Sequence, residues 1–315
     1  MITLQEYKDR TPDKHDLTGI IDELQKSSVL MDALEWDDTV TPAGDSFPYV
    51  YYKKTTESTA AFRTVGEEYE PSDAKVGKEF AEVKILGGTY SIDRAIAKAS
   101  KDKFIDEVEL QSTEKVNAVK ATFSDAMING DSAVNEKEFD GLNKMVTGTD
   151  TEFTSTVDLS TSEAVDTNYT AFIDEVDGVI ANMVKEPEFI CGNTKSITKF
   201  KSVARRAGQY QETKDNVGRT ISKYGNATLL DLGAKPGSSD PIIGIDEDGK
   251  TDLYFITLGR NAFHGITLDG QLMDVVTPDF NTEAATSAKG LVEFYGAVVL
   301  KNSKAAAVLR GIKVK

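Results

Sequence analysis

The 315-residue chain holds one cysteine, two histidines, one tryptophan and eight prolines, and these scarcities exclude a good deal of chemistry. A single cysteine, Cys191, can close no internal disulfide. One cysteine and two histidines far apart in sequence, His15 and His264, supply no zinc-type cluster. Cys191 sits in the apolar run EFICGN and reads as a small buried hydrophobe. His15 lies in a polar leader, and His264, in NAFHGI, reads as the cap of a strand end. Basic residues are outnumbered, 36 Lys and Arg against 52 Asp and Glu, for a net charge of −16. That balance argues against the clustered cations with which a nucleic-acid-binding surface displaces counterions. No window approaches the roughly 18 apolar residues of a membrane span, so no membrane partner is expected. The opening MITLQEYKDRTPDKHD has no apolar signal-peptide core, and the chain is expected to be made and used in a cytoplasm. Gly-x-Ser-x-Gly and Gly-x-Gly-x-x-Gly are both missing, and GNTKS (192–196) lacks the upstream glycine of a phosphate loop. With 52 acids in the chain, adjacent carboxylates carry no information. No catalytic residue, cofactor or metal site is expected, and the chain does not read as an enzyme.

What is present is strongly patterned. NGDSAVNEKEFDGL (129–142) follows a long amphipathic run and has the look of a ligand loop. Counted from Asp131 as a calcium loop, it has Ala133 at the third position, Glu136 where glycine is required and Leu142 in place of the final glutamate, so it fails. DEDG (246–249) fails the same test and reads as a hairpin turn between PIIGI and TDLYFITL.

Residues 1–45 form a polar leader with one apolar patch at helical spacing: Ile20, Ile21, Leu24, then Leu30, Met31 and Leu34. FPYVYYKKTTESTAAFRTV and EFAEVKILGGTYSID, joined by the acidic GEEYEPSDAKVGK, read as a long two-stranded hairpin, rich in aromatic and β-branched residues but poor in large aliphatics. Such a ribbon is marginal alone, so something outside must support it. Residues 102–130 place apolar residues at steps of three or four (Ile105 and Val108, then Val116, Val119, Phe123 and Ala126), with a polar gap around Gln111 to Lys115, until Asn-Gly stops the helix. A strut over about 103–129 is predicted, some 40 Å long. Residues 147–162 are rich in Ser and Thr and read as a linker or lightly structured crossing. Helix, strand and basic helix follow (164–208), then strands at TLLDLG, DPIIGI, LYFITLG and ITLDGQLMDVV: a compact α/β unit. The chain closes on strands in SAKGLVEFYGAVVLKNSKAAAVLRGIKV, where Lys301, Lys304, Arg310, Lys313 and Lys315 form an acid-free basic cluster.

The order of these parts resembles the major capsid protein of tailed bacteriophages, whose Hong-Kong-97-type fold is shared with encapsulin shells. The phrases that carry the resemblance are GIIDELQKSSVLMDAL, FRTVGEEYE, LGGTYSIDRAIAK, AMINGDSAVNEKEFDGLNKMV and GLVEFYGAVVLKNSKAAAVLRG. It covers nearly the whole chain, and the order and spacing of the phrases are more specific than any one of them. It implies an α+β fold with an N-terminal arm (1–45), an extended β-hairpin loop (46–85), a peripheral domain (86–162 and 286–315) carrying a spine helix, and an α/β axial domain (163–285). Under it, Asn129, Gly130, Asp131, Phe139 and Gly141 become an architectural turn after the spine helix. Residues of the arm and hairpin become candidate subunit contacts: Ile20, Leu24, Leu30, Leu34, Trp36, Tyr49, Tyr51, Phe62, Glu67, Glu68 and Glu70. The acidic tip is expected to meet basic residues of a neighbour, the C-terminal cluster being one candidate.

The resemblance further implies a virion shell protein, assembled in the bacterial host cytoplasm from pentamers and hexamers of itself into an icosahedral shell around double-stranded DNA. DNA would be packed without sequence-specific binding. A separate scaffolding protein is implied because the arm begins almost at Met1; a portal and a decoration protein are further partners of this class. Some members crosslink subunits through a Lys and an Asn; Lys53, Lys54 and Asn302 have the right types. The alternative within the fold is an encapsulin-like nanocompartment. A surface adhesin would need an export signal, and an enzyme the residues that are missing.

Overall fold

The computed structural model describes residues 29–40, 47–101, 106–214, 220–268, 273–280 and 286–315. Elements are numbered in chain order. One sheet has five strands: β1 (Trp36–Asp37), β4 (Lys84–Asp93), β11 (Phe263–Thr267), β12 (Asp274–Val276) and β13 (Ser287–Leu300). β13 is its axis. β4 runs antiparallel along one side of it, from Asp93 opposite Ser287 to Lys84 opposite Gly296. β11 and β12 flank the other side, and β1 adds parallel to β11.

A single helix, α3 (Glu107–Asn129), packs across β4 and β13. At 1.5 Å per residue it is about 35 Å long. Its buried Val119, Phe123 and Met127 recur every four residues, with Ser124 and Ile128 beside them, which is one helix face. Phe123 is the centre of an aromatic cluster with Trp36, Phe139 and Phe294, ring centroids 4.8–5.8 Å apart. The strut was expected to start near 103. It starts at Glu107, because the Asp106 carboxylate accepts the Val108 amide at 2.9 Å and caps the first turn; residues 103–105 lie outside the described residues.

The second sheet has seven strands in the order β5 (Glu152–Thr154), β14 (Ala306–Lys313), β10 (Lys250–Ile256), β6 (Phe189–Gly192), β9 (Ala227–Asp231), β8 (Thr220–Tyr224) and β7 (Tyr210–Lys214). Helices α5 (Ser162–Ala181) and α6 (Thr194–Arg206) pack together beside it. The apolar runs of β10 and β14 have no polar alternation, the pattern of strands buried on both faces. Their side chains divide accordingly. Leu253, Phe255, Ala307 and Leu309 join Phe172, Phe200 and Val203 in one core. Tyr254, Ile256, Ala306 and Val308 join Phe123, Phe294 and Ile266 in the other. The two cores are thus the two faces of one sheet.

The turn after α3 is closed by hydrogen bonds within the chain. The Gly130 amide donates to Ala126 O and the Gly141 amide to Gly130 O, both at 2.8 Å. A Cβ on Gly130 would lie 2.4 Å from Phe139 O and 2.5 Å from Ala126 O. Asn129 Nδ2 donates to Ile242 O at 2.8 Å. The Lys144 ammonium, from the short helix α4 (Leu142–Val146), bonds Asp131 at 2.5 Å and Asp140 at 2.9 Å, and Phe139 packs on Phe123.

Several expectations change. The closing strands, expected in one unit, divide: β13 lies in the first sheet and β14 in the second, while β11 and β12, expected in the α/β unit, pair with β13. DPIIGI forms only isolated bridges, Ala234 with Pro241 and Ile245 with Thr251. The β7–β8 hairpin was not foreseen, being polar with no apolar alternation on β7. Residues 147–162 include β5 and run beside β14, the Ser155 and Leu159 amides donating to Arg310 O and Lys313 O at 2.7 Å. His264 does not cap a strand end; it lies inside β11, fully buried. Cys191 is buried, and burial pushes its thiol up. Asn193 forms a capping box with Ser196 at the start of α6, which accounts for GNTKS. The Asp246–Gly249 stretch is a turn, with the Gly249 amide on Asp246 O at 3.1 Å and φ +78° at Gly249.

Candidate assembly surfaces

Among the described residues, β2 (Pro48–Thr56) and β3 (Lys75–Glu82) pair only with each other, as an antiparallel ribbon. From Tyr52 to Phe80 every residue is exposed except half-buried Gly77. The register explains how the ribbon is held. Tyr49 opposes Ala81 and Tyr51 opposes Glu79 on one face; Val50 opposes Phe80 and Tyr52 opposes Lys78 on the other. The first face seats Tyr49, Tyr51 and Ala81 against the core. The second packs on no core among the described residues, leaving Tyr52 72%, Val76 64% and Phe80 60% exposed. At the tip, Ser72 Oγ accepts the Thr59 amide at 2.9 Å and the Glu67 amide returns to Thr64 O at 3.2 Å. Gly66, at φ +97°, supplies the left-handed residue of that turn. The Arg63 guanidinium lies 5.4 Å from the Tyr69 ring centre. Phe62 and Glu67, Glu68 and Glu70 are exposed there.

The ribbon's root is a polar knot that sequence reasoning missed. The Tyr49 hydroxyl donates to Asp37 Oδ2 at 2.8 Å, and Thr39 donates to Oδ1 through its hydroxyl at 2.7 Å and its amide at 3.0 Å. Burial works to raise the Asp37 carboxyl, but these bonds and the Lys301 charge outweigh it and hold the pKa down at about 2. Burial and the Asp37 bond push Tyr49 up to about 12. His264 stands edge-on to Tyr49, centroids 5.8 Å apart, and neither ring nitrogen has a hydrogen-bond partner among the described residues. Burial, then the nearby Lys301 charge, lowers its pKa to about 4. The Lys301 ammonium itself lies 5.1 Å from the Tyr49 ring centre. The only advance sign was a histidine flanked by apolar residues in NAFHGI.

The candidate contact residues therefore separate. Ile20 and Leu24 lie outside the described residues. Leu30, Leu34 and Tyr49 are buried in the chain's own core, and Trp36 packs between Phe123 and Phe294. They were expected to face a neighbour; instead β1 pairs with β11 and carries them inward, the Trp36 ring lying over Gly265, where a Cβ would sit 2.5 Å from it. Tyr51 is half-buried at the root, and Phe62, Glu67, Glu68 and Glu70 are exposed at the tip, where the Glu67 carboxylate accepts the Thr64 amide at 3.0 Å. The basic cluster is mostly engaged internally. Arg310 bonds Glu152 and Asp252, with Asn143 and Thr147 at 2.8 Å. Lys313 pairs with Asp158 at 3.1 Å. Only Lys304 and Lys315 of the five are exposed, so the cluster is a poor receptor for an acidic tip. Asn302 caps a short turn, its side chain accepting the Lys304 amide at 3.0 Å. Among the described residues no group of three or more His, Cys, Asp or Glu could hold a metal ion.

No family model and no curated protein matches the sequence. Solved structures match over almost the full length. The SrpI encapsulin of Synechococcus elongatus PCC 7942 is 15% identical with a TM-score of 0.61, covering 95% of this chain and 94% of its own. The capsid of the myovirus XM1 is 11% identical at TM-score 0.61, with 99% of each chain covered. The capsid of a native GTA particle is 10% identical at TM-score 0.60, covering 94% and 95%. The chain has the Hong-Kong-97-type capsid fold. At identities of 10–15% the fold, and not the sequence, is what is shared.

Proposed function

We propose that this chain is the major capsid protein of a tailed bacteriophage. Many copies associate through pentamers and hexamers into an icosahedral virion shell around double-stranded DNA. The observation that carries the reading is the ribbon: a 29-residue stretch, 52–80, with no core of its own, standing off a capsid fold. Such an element is stable only when a second surface covers its outer face. An acidic chain, at net charge −16, would let packed DNA slide by repulsion. The turn residues 129–131, 139 and 141 serve the subunit's interior, and the exposed hairpin serves its neighbours. By the fold's layout the five-stranded sheet with α3 forms the peripheral domain and the α5–α6 side the axial domain, the boundary crossing between β13 and β14. A separate scaffolding protein and a portal are the partners this reading calls for.

A second reading, an encapsulin-like compartment, is favoured by the match to the SrpI shell. Expression of the full chain followed by sedimentation and electron microscopy tests the shell itself. Closed or curved many-copy particles are expected; a chain that remains monomeric across concentration and salt, with and without its neighbouring gene products, overturns it. Particle contents then separate the readings: nuclease-protected DNA in particles from a lysate of infected cells for a virion, a folded protein cargo for a compartment.

A further inference from the structure

The His264 imidazole is fully buried in β11, and neither ring nitrogen has a hydrogen-bond partner among the described residues. An unpaired polar group in a protein interior costs stability, so packing alone does not account for a histidine here. Charge faces the ring from several elements. Lys301 follows the end of β13, Asp37 comes from β1, and Glu35 lies between α1 (Val29–Ala33) and β1. Arg260, in the loop before β11, acts on both Tyr49 and Lys301. The Ala262 carbonyl, which accepts the Lys301 amide at 3.2 Å, faces the ring without reaching good hydrogen-bond geometry.

This place is the ribbon's hinge. Of the β2 and β3 residues, Tyr49, Tyr51 and Ala81 are those that pack on the core. Tyr49 anchors them through a buried bond from its hydroxyl to Asp37, and its ring stands edge-on to the imidazole. A proton added to His264 would find no ready acceptor and would sit beside the Lys301 ammonium. Two movements relieve that charge. The ring turns out to water, which displaces Tyr49 from its edge, or Asp37 turns to the imidazolium, which takes it from the Tyr49 hydroxyl. Both release the same residue.

We propose that His264 is an acid-operated latch on the ribbon: uptake of one proton unseats Tyr49 and frees the ribbon, while both cores stay folded. A two-stranded ribbon is marginal in water by itself, so its strands fray once it is unseated. The device lies within one subunit and does not depend on the shell reading. The lowered pKa of about 4 has the sign the latch needs. The seated ring refuses the proton and the unseated ring accepts it near 6.5, so the unseated population grows as pH falls from 6.5 to 4. From pH 7 to pH 5 the ratio of unseated to seated ribbon rises about twentyfold. Asp37, held at about 2, stays charged throughout this range.

Hydrogen exchange of the full chain tests this, read by mass spectrometry at pH 7 and pH 5 and corrected for the intrinsic rate. The comparison is made where sedimentation shows the same species at both values. Amides of β2, β3 and Val83, which donates to Phe47 O at 3.1 Å, should lose about twentyfold in protection. Those of α2 (Arg94–Ser100), α3 and β14 should keep theirs. Ribbon protection that does not change with pH overturns the proposal. An equal loss in α3 and β14 overturns it too, because the whole chain would then be opening. His264→Leu should abolish the pH dependence. Lys301→Met keeps the imidazole but removes a neighbouring cation, so the seated ring takes its proton more readily and the loss should shrink below the parent's. Should His264→Leu fail to fold, a parental loss in Lys301→Met overturns the latch. The only other histidine in the chain is His15. His15→Asn should leave the loss unchanged, and its disappearance in that variant would assign the proton to His15 and overturn the latch.

Discussion

At the residue scale, His264 and Asp37 make the ribbon root sensitive to acid. His264 is buried between Tyr49 and Lys301, and its pKa falls from 6.5 to about 4 on folding. A group with a lowered folded pKa that is charged when protonated destabilises the fold on acidification. Between pH 6.5 and 4 the unfolded chain binds a proton that the folded chain does not, so stability drops as pH falls through that window and levels off below it. The span corresponds to about 3 kcal/mol. Asp37 adds a second loss lower down, between its ordinary 3.8 and about 2, where its bonds to Thr39 and Tyr49 are broken by protonation. Tyr49, Lys301 and Asp37 all face the imidazole, so the first loss is expected to loosen the ribbon before the sheets. Denaturant melts from pH 7 to 4 should show this decline in the parent and a much flatter line in His264→Leu. An unchanged slope in the variant would assign the acid sensitivity elsewhere.

At the element scale, α3 and the ribbon make opposite demands. α3 buries Val119, Phe123 and Met127 on β4 and β13. Val119→Pro removes an internal hydrogen bond and clashes with the preceding turn, at a cost of about 3 kcal/mol or more. The variant should lose the single Trp36 fluorescence signature of the Phe123–Phe294 cluster, as well as assembly; a variant that keeps both would mean the helix does not brace the sheet. The ribbon should behave in the reverse way. Replacing residues 57–74 by an Asn-Gly turn should leave the melting temperature nearly unchanged, since these residues touch no core, while particles vanish. An unfolded product would place the ribbon in the subunit's own core, and intact particles would remove its role between copies. Both elements were legible in the sequence for physical reasons: a three-four apolar period and an Asn-Gly stop for α3, aromatic and β-branched runs around an acidic tip for the ribbon. The inward turn of Leu30, Leu34, Trp36 and Tyr49 was not legible. It depends on β1 adding to β11, a partner some 230 residues away in sequence, and on Gly265 leaving room for the indole. The β7–β8 hairpin was missed because an edge strand need bury no face, so it carries no alternation to detect.

At the scale of the whole molecule, the apolar runs of β10 and β14 decide how the parts cooperate. Sequence order suggested a peripheral unit interrupted by an α/β unit that could stand apart. The closing AAVLRGIKV reads as alternating, whereas LYFI and AAAV are buried on both faces, and the two faces belong to different cores. With Ala307 and Leu309 in the core with Phe172 and Phe200, and Ala306 and Val308 in the core with Phe123 and Phe294, neither core can be completed without β14. β14 is moreover an inner strand, between β5 and β10, and its Arg310 joins Glu152 to Asp252 across the sheet. Removing residues 301–315 should therefore not trim a tail from one domain. It strips seven buried side chains, Ala305 to Leu309, Ile312 and Val314, and leaves β5 and β10 with unpaired edges. Hydrogen exchange read by mass spectrometry is the informative measurement. In the parent, amides of α3 and of α5 should lose protection at the same denaturant concentration, as one cooperative unit. In the truncated chain, both helices should be unprotected even without denaturant. Protection retained in α3 and β13 alone would show that the first core is independent of the second sheet, and that the capsid fold of this chain is two units joined, not one sheet shared.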